Sequence, residues 1–153
     1  MATVSENRKT LCNCTALRKA TRRVSQLYDS ALEPCGLRTT QRAILNHIAR
    51  SGTPPIGELA DALVMDRGAL THNLKPLERD GLVKISIDPN DRRNRLIALT
   101  ASGRSRLAQS EVLWVRAQQG FEAAFGAAKS GALRKALEYL VSDQFMTAFN
   151  DHH

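Results

Sequence analysis

Apolar residues recur along this chain mostly at helical spacing, with one interruption where they alternate. Between Leu11 and Glu33 the positions Leu17, Ala20, Val24, Leu27 and Ala31 repeat as one face of a helix, while Arg18, Lys19, Arg22 and Arg23 point elsewhere. Pro34 and Gly36 stop that helix. Thr39 is expected to cap a second helix, with Ala43, Ile44, Leu45 and Ile48 on its apolar side and an end near Ser51-Gly52. After a turn at Pro54-Pro55, Ile56, Leu59, Ala60 and Leu63 fit the i, i+3, i+4, i+7 template of a short helix. Asp66 reads as the N-cap of the next helix, which runs to about Asp80 and stops before Gly81. Alternation then takes over: Val83, Ile85 and Ile87 face Ile97 and Leu99 across the polar stretch DPNDRRNR, a two-stranded hairpin. The final third returns to helical spacing. A long helix is expected from Ala101 to Phe125, then a break over Gly126 to Gly131, then a last helix to about Phe149.

Helix, short helix, turn, helix and hairpin in that order predict a fold that is mainly α with a small β-hairpin wing. This is a winged helix-turn-helix flanked by long helices. The helix from Asp66 to Asp80 has two unlike faces. On a wheel at about 100° per residue, Leu70, Leu74 and Leu77 fall within an arc of about 60°. Gly68, Thr71, His72, Lys75 and Arg79 lie opposite, and Arg67 sits at the start. A helix entering the major groove of DNA needs such a face: small residues for close approach, Thr and His for base edges, Lys for phosphate or guanine. A plain solvated face would carry a similar pattern. Pro76 should bend or loosen the helix, because proline removes one hydrogen bond and clashes with the turn before it.

The hairpin tip carries Arg92, Arg93 and Arg95 beside Asp88 and Asp91. Next to a recognition helix, such a tip can reach the minor groove, where a narrow A·T-rich segment concentrates negative potential. Asp88 or Asp91 is expected to pair with one arginine and hold the tip in shape. Arg95, with the later Arg104 and Arg106, is better placed for phosphates. A solubilising turn with local ion pairs is the plainer alternative.

The formal net charge of +7 agrees with a polyanionic partner, double-stranded DNA before membrane. No apolar run approaches transmembrane length, so a cytoplasmic location and no membrane association are expected. The three cysteines, Cys12, Cys14 and Cys35, are then expected to be reduced. Cys12 and Cys14 diverge on a helix with no histidine cluster to complete a metal site, and no cofactor is implied. An enzyme using Cys14 as nucleophile would lack a plausible His/Asp partner or oxyanion loop, so the chain is not expected to be an enzyme. A protein-interaction module on the same fold has no use for an arginine-loaded wing.

Taken together, ELADAL, DRGALTHNLKPLERDGLV and DPNDRRNRLIALTASG resemble the MarR family of bacterial transcription regulators, in order and spacing over about residues 11–150. That resemblance implies an obligate homodimer, with residues 11–36 and 101–150 forming the dimerisation helices and 37–100 the DNA-binding unit. It implies that Arg67, Gly68, Thr71, His72 and Lys75 read the major groove, and that Arg93 enters the minor groove with Arg92 beside it. His72 stands where the family often carries arginine. The resemblance also implies a pseudo-palindromic operator and, in many members, a small phenolic or anionic effector bound between the two regions. On this view Leu107, Trp114, Phe121 and Ala128, spaced by seven, and Leu133, Leu137, Leu140 and Phe145 belong to a dimer core. The organic-hydroperoxide-sensing branch is similar in having a reactive cysteine matching Cys14 and a tyrosine matching Tyr28. In one helix those two would lie about 21 Å apart, so they could meet only across a dimer. Two further tyrosines of that branch fall at Thr39 and Arg18, which leaves a Cys14 thiolate short of donors and small buried cysteines packed at the dimer interface as the alternative.

Overall fold

The computed structural model describes residues 12–152. Helix α1 covers Asn13–Leu32, so the expected start at Leu11 lies outside the described residues. A single 3-10 turn, Glu33–Cys35, follows it, with Pro34 inside the turn and Gly36 closing it at φ 72°. Helix α2 spans Thr39–Ser51, α3 Ile56–Ala62 and α4 Arg67–Arg79. Strands β1 (Val83–Ile87) and β2 (Arg95–Leu99) pair antiparallel, and α5 then runs from Ala101 to Phe125. Helices α6 (Ala127–Leu140) and α7 (Asp143–Asn150) close the chain.

The hydrophobic core belongs to the middle of the chain. Leu32, Leu37, Ile44, Leu45, Ile48, Leu59, Leu70, Leu74, Leu77 and Ile97 are all buried in one cluster. In the hairpin, Val83 faces Leu99 and Ile85 faces Ile97, as the alternation predicts. Ile87 instead meets Arg95 and lies exposed. The Pro54-Pro55 turn is tied to the wing, since Ile97 N–H donates to the Pro54 carbonyl at 3.1 Å. Helix α1 packs against α5, which also contacts α2.

Several local expectations are corrected. Thr39 does not cap α2 with its hydroxyl. Its own N–H donates to Asp29 Oδ1 at 2.7 Å, and Gln41 Oε1 accepts the Arg38 N–H at 3.0 Å, so a carboxylate from α1 fills the role. Ala43 is exposed, whereas Arg42 is buried. The break after α5 is Gly126 alone, at φ 102°, because Ser130 is buried and its Oγ–H donates to the Gly126 carbonyl at 2.8 Å, securing the first turn of α6. Ala128 therefore lies beyond a helix break and does not extend the heptad of Leu107, Trp114 and Phe121. The last helix is divided as well: Ser142 Oγ accepts the Phe145 N–H at 3.2 Å and starts α7.

Candidate nucleic-acid interface

Helix α4 starts where the sequence places it. Asp66 is extended and its Oδ1 accepts the Ala69 N–H at 2.7 Å, satisfying one of the free donors of the first turn. Leu70, Leu74 and Leu77 are buried, which anchors one face and turns Arg67, Gly68, Thr71, His72, Lys75 and Arg79 to solvent. The helix is continuous through Pro76 to Arg79. Thr71 Oγ1–H donates to the Arg67 carbonyl at 2.7 Å, leaving the hydroxyl lone pairs outward as acceptors. Asn73 is half-buried and donates to the Ala69 carbonyl at 2.9 Å. Arg79 is paired with Asp80 at 3.1 Å. Gly68 has a local reason of its own: a Cβ there would come within 3.2 Å of the capping Asp66 Oδ1. Gly57, on α3, leaves room for the Arg67 guanidinium, whose Nη2 would lie 2.6 Å from a Cβ at that position.

At the wing tip the two aspartates divide their work. Asp91 accepts the Arg93 N–H at 3.1 Å and approaches the Arg93 Nε at 3.7 Å, and its other oxygen takes the Asn94 amide at 3.4 Å. Among the described residues Asp88 pairs with no arginine; it accepts the Asn90 N–H at 2.9 Å, while its own N–H donates to the Asn94 carbonyl at 3.1 Å. The side chain of Arg93 is 95% exposed, so its ion pair is weak and its guanidinium is available. Arg92 is exposed too. Arg95 differs, since its Nη1 donates to the carbonyls of Arg92 (3.2 Å) and Asn94 (3.4 Å) and so helps close the tip. Arg104 is exposed, but Arg106, expected at phosphates, is half-buried with its Nη1 donating to the Cys35 carbonyl at 3.2 Å.

The thiol and phenol positions are not brought together within one chain. Cys14 is exposed in the first turn of α1. Tyr28 is half-buried and its hydroxyl donates to Gln118 Oε1 on α5 at 2.8 Å. Burial, with the Glu122 charge adding to it, pushes the Tyr28 phenol above its ordinary range. Cys35 is buried and its thiol donates to the Leu32 carbonyl at 3.0 Å.

Two residues escaped sequence reasoning. Cys12 is the N-cap of α1: its Sγ accepts the Thr15 N–H at 3.4 Å, and hydrogen bonding from Thr15 holds the exposed thiol below its ordinary pKa. A cysteine immediately before a helix start is a signal for it. Arg42 is buried on α2 and reaches Ser110, Glu111 and Trp114 on α5. Its place beside Ile44 and Leu45 in an otherwise apolar stripe was the available clue.

Among the described residues, no helix is long and apolar enough to cross a membrane. A family model described as the MarR family matches residues 37–94, which contain α2, α3, α4, β1 and the wing tip. The chain is 35% identical to a transcriptional regulator of M. tuberculosis, MosR, solved in complex with DNA, covering 84% of this chain and 97% of that one at a TM-score of 0.71. It is 26% identical to the transcriptional repressor CouR bound to a 23-mer DNA duplex, covering 93% and 97% of the two chains at a TM-score of 0.78. A curated relative, the transcriptional activatory protein BadR of Rhodopseudomonas palustris, is 40% identical over 77 residues, which span 48% of this chain and 44% of BadR. The chain thus aligns with less than half the length of that relative.

Proposed function

The chain belongs to the MarR family of DNA-binding transcription regulators, and from that premise we propose that it works as a homodimer on a pseudo-palindromic duplex operator, repressing until a small effector releases it. It is a regulator and not an enzyme. In this reading residues 37–100 read DNA and residues 11–36 with 101–150 join the two copies, in the cytoplasm where the operator lies.

One observation carries the proposal: the same buried leucine stripe that anchors α4 leaves Arg67, Gly68, Thr71, His72 and Lys75 outward, on the unit that also bears the exposed Arg92 and Arg93. The α4 face suits the major groove and the wing arginines the minor groove, with Arg95 reaching phosphate from its place in the tip closure. Dimerisation draws support from the terminal helices, which leave apolar side chains uncovered among the described residues; Met146 is 57% and Val141 63% exposed. An effector would enter the cleft of about 390 Å³ between α1 and α5, within the dimerisation region and not between it and the DNA-reading unit, where Val24, Leu27, Tyr28 and Phe121 offer an apolar wall suited to a phenolic ring. Of the three relatives named, two have opposite roles, CouR being a repressor and BadR an activatory protein.

A second reading is release by peroxide at Cys14, favoured by the exposure of that thiol. Tyr28 gives it less support, because its hydroxyl is already donated to Gln118 within the chain.

The test is a fluorescence-anisotropy titration of the reduced protein at about 150 mM salt, where nonspecific contacts are already weak. Duplex from upstream of its own gene is compared with a scrambled duplex of equal composition. Preference for the native duplex is expected, and its loss on adding effector or peroxide separates the two modes of release. Equal binding to both duplexes would count against a specific operator there.

A further inference from the structure

Arg42 is the one charged side chain that the fold buries among the described residues, at 8% exposure. An arginine is seldom buried without partners, and here all of them lie on a different helix. Its Nε–H donates to Ser110 Oγ at 3.0 Å. Ser110 gives its own proton to the Leu107 carbonyl at 2.6 Å, so its oxygen is left to accept. The Nη2 of Arg42 pairs with Glu111 Oε2, and the guanidinium carbon stands 4.7 Å from the centre of the Trp114 ring. Arg42 itself rises from α2, whose Ile44, Leu45 and Ile48 belong to the core of the DNA-reading unit. Ser110, Glu111 and Trp114 lie along the middle of α5.

The pair itself adds little stability, since the Glu111 side chain is 56% exposed and solvent screens it. A planar guanidinium held by a fork of hydrogen bonds and a ring face does something apolar packing does poorly: it admits one orientation. The orientation matters because α5 is a long lever. Over the about 20 Å of helix between that grip and the end of α5, a tilt of about 10° moves the end by about 3 Å, close to the rise of one base pair. We propose that Arg42 is a positioning residue that fixes the angle between the DNA-reading unit and α5, and through it the separation of the two recognition helices. This rests on the dimeric reading above.

The experiment measures tolerance of half-site spacing. The wild-type protein first selects an operator from a random duplex pool. Anisotropy titrations then compare that duplex with versions carrying one base pair more or one fewer between the half-sites. Wild type should lose about tenfold or more in affinity on either altered duplex, as for a poor base contact. Arg42→Met should bind the native spacing more weakly yet discriminate between spacings by no more than about twofold, and Arg42→Lys, which keeps charge without the fork, should fall between. Uniform weakening on all three duplexes would overturn the proposal and leave Arg42 a folding residue. If Arg42→Met does not fold, Glu111→Gln and Trp114→Phe are read by the same series, and full discrimination in both overturns it equally. Failure of the wild type to select any duplex would remove the functional reading together with this one, and is distinguishable because no variant is involved.

Discussion

The carbonyl oxygen of Leu82 occupies the space in which a side chain on Gly103 would begin. Gly103 lies in the first turn of α5, where its N–H donates to the capping Thr100 Oγ1 at 3.0 Å, and Thr100 Oγ1–H in turn reaches the Gly81 carbonyl at 2.6 Å. The start of α5 is thereby clamped to the chain between α4 and β1. Gly103→Ala would meet backbone and not a flexible side chain, so the clamp must open. Thermal unfolding should register a loss of about 3 kcal/mol, the upper range for overpacking. Gly131→Ala is the control: nothing lies within 4 Å of a Cβ there, and a gain of about 0.5–1 kcal/mol is expected for a helical glycine. Equal effects of the two substitutions would refute the clamp.

Val64 turns the chain between α3 and α4 at φ 53°, a left-handed conformation unusual for a β-branched residue. It is exposed, so no packing compensates, and its N–H donates to the Asp61 carbonyl at 3.1 Å. Val64→Asn, a residue that tolerates this region, should stabilise the fold by about 1 kcal/mol in a denaturant titration. An unchanged or lower midpoint would mean that the turn carries no strain.

The middle of the chain was legible in its sequence because its signals are local. Leu70, Leu74 and Leu77 set the face of α4, Asp66 caps it, and the alternation of Val83 and Ile85 against Leu99 and Ile97 sets the hairpin. What escaped depends on partners far along the chain. The cap of α2 comes from Asp29, ten residues before Thr39, and Arg42 finds Ser110 68 residues away. An arginine in an apolar stripe reads as a solvated position until its acceptors are known. The subdivision of the C-terminal helices turned on Gly126 and Ser142, single residues whose effect on a helix depends on what surrounds them.

If α4 and the wing divide the DNA as proposed, their variants should fail in different ways. Arg93→Ala should mainly lower preference for A·T-rich flanks, since the exposed guanidinium is the group that would sense a narrow minor groove. Lys75→Ala and Thr71→Ala should alter the central half-site, each by about 1–3 kcal/mol at the contacted base. Arg92→Glu with Arg93→Glu should abolish duplex binding in an anisotropy titration. Equal, sequence-independent losses for Arg93, Lys75 and Thr71 would sink the division of labour.

Cys12 and Cys35 should differ sharply as thiols, although they belong to one short chain. Cys35 is buried and donates its proton to a carbonyl, whereas Cys12 is exposed and accepts from Thr15 at a helix start, where the peptide dipoles also favour negative charge. The thiolate is the reactive form, so alkylation of Cys12 by iodoacetamide should accelerate over a pH range below that of an ordinary thiol. The sign of the linkage follows from the same bond. A lowered pKa in the folded chain means that Cys12 steadies the start of α1 when ionised, above the ordinary thiol range. That contribution fades as pH falls through the lowered value. Cys12→Ser, which keeps a capping oxygen but cannot ionise in this range, should retain the helix start and erase its pH dependence. Amide hydrogen exchange of Thr15 and Ala16 across pH 6 to 10 (a span on the order of the thiol's titration range) would display this. Protection independent of pH in the wild type would show that the thiol caps α1 only as a neutral group.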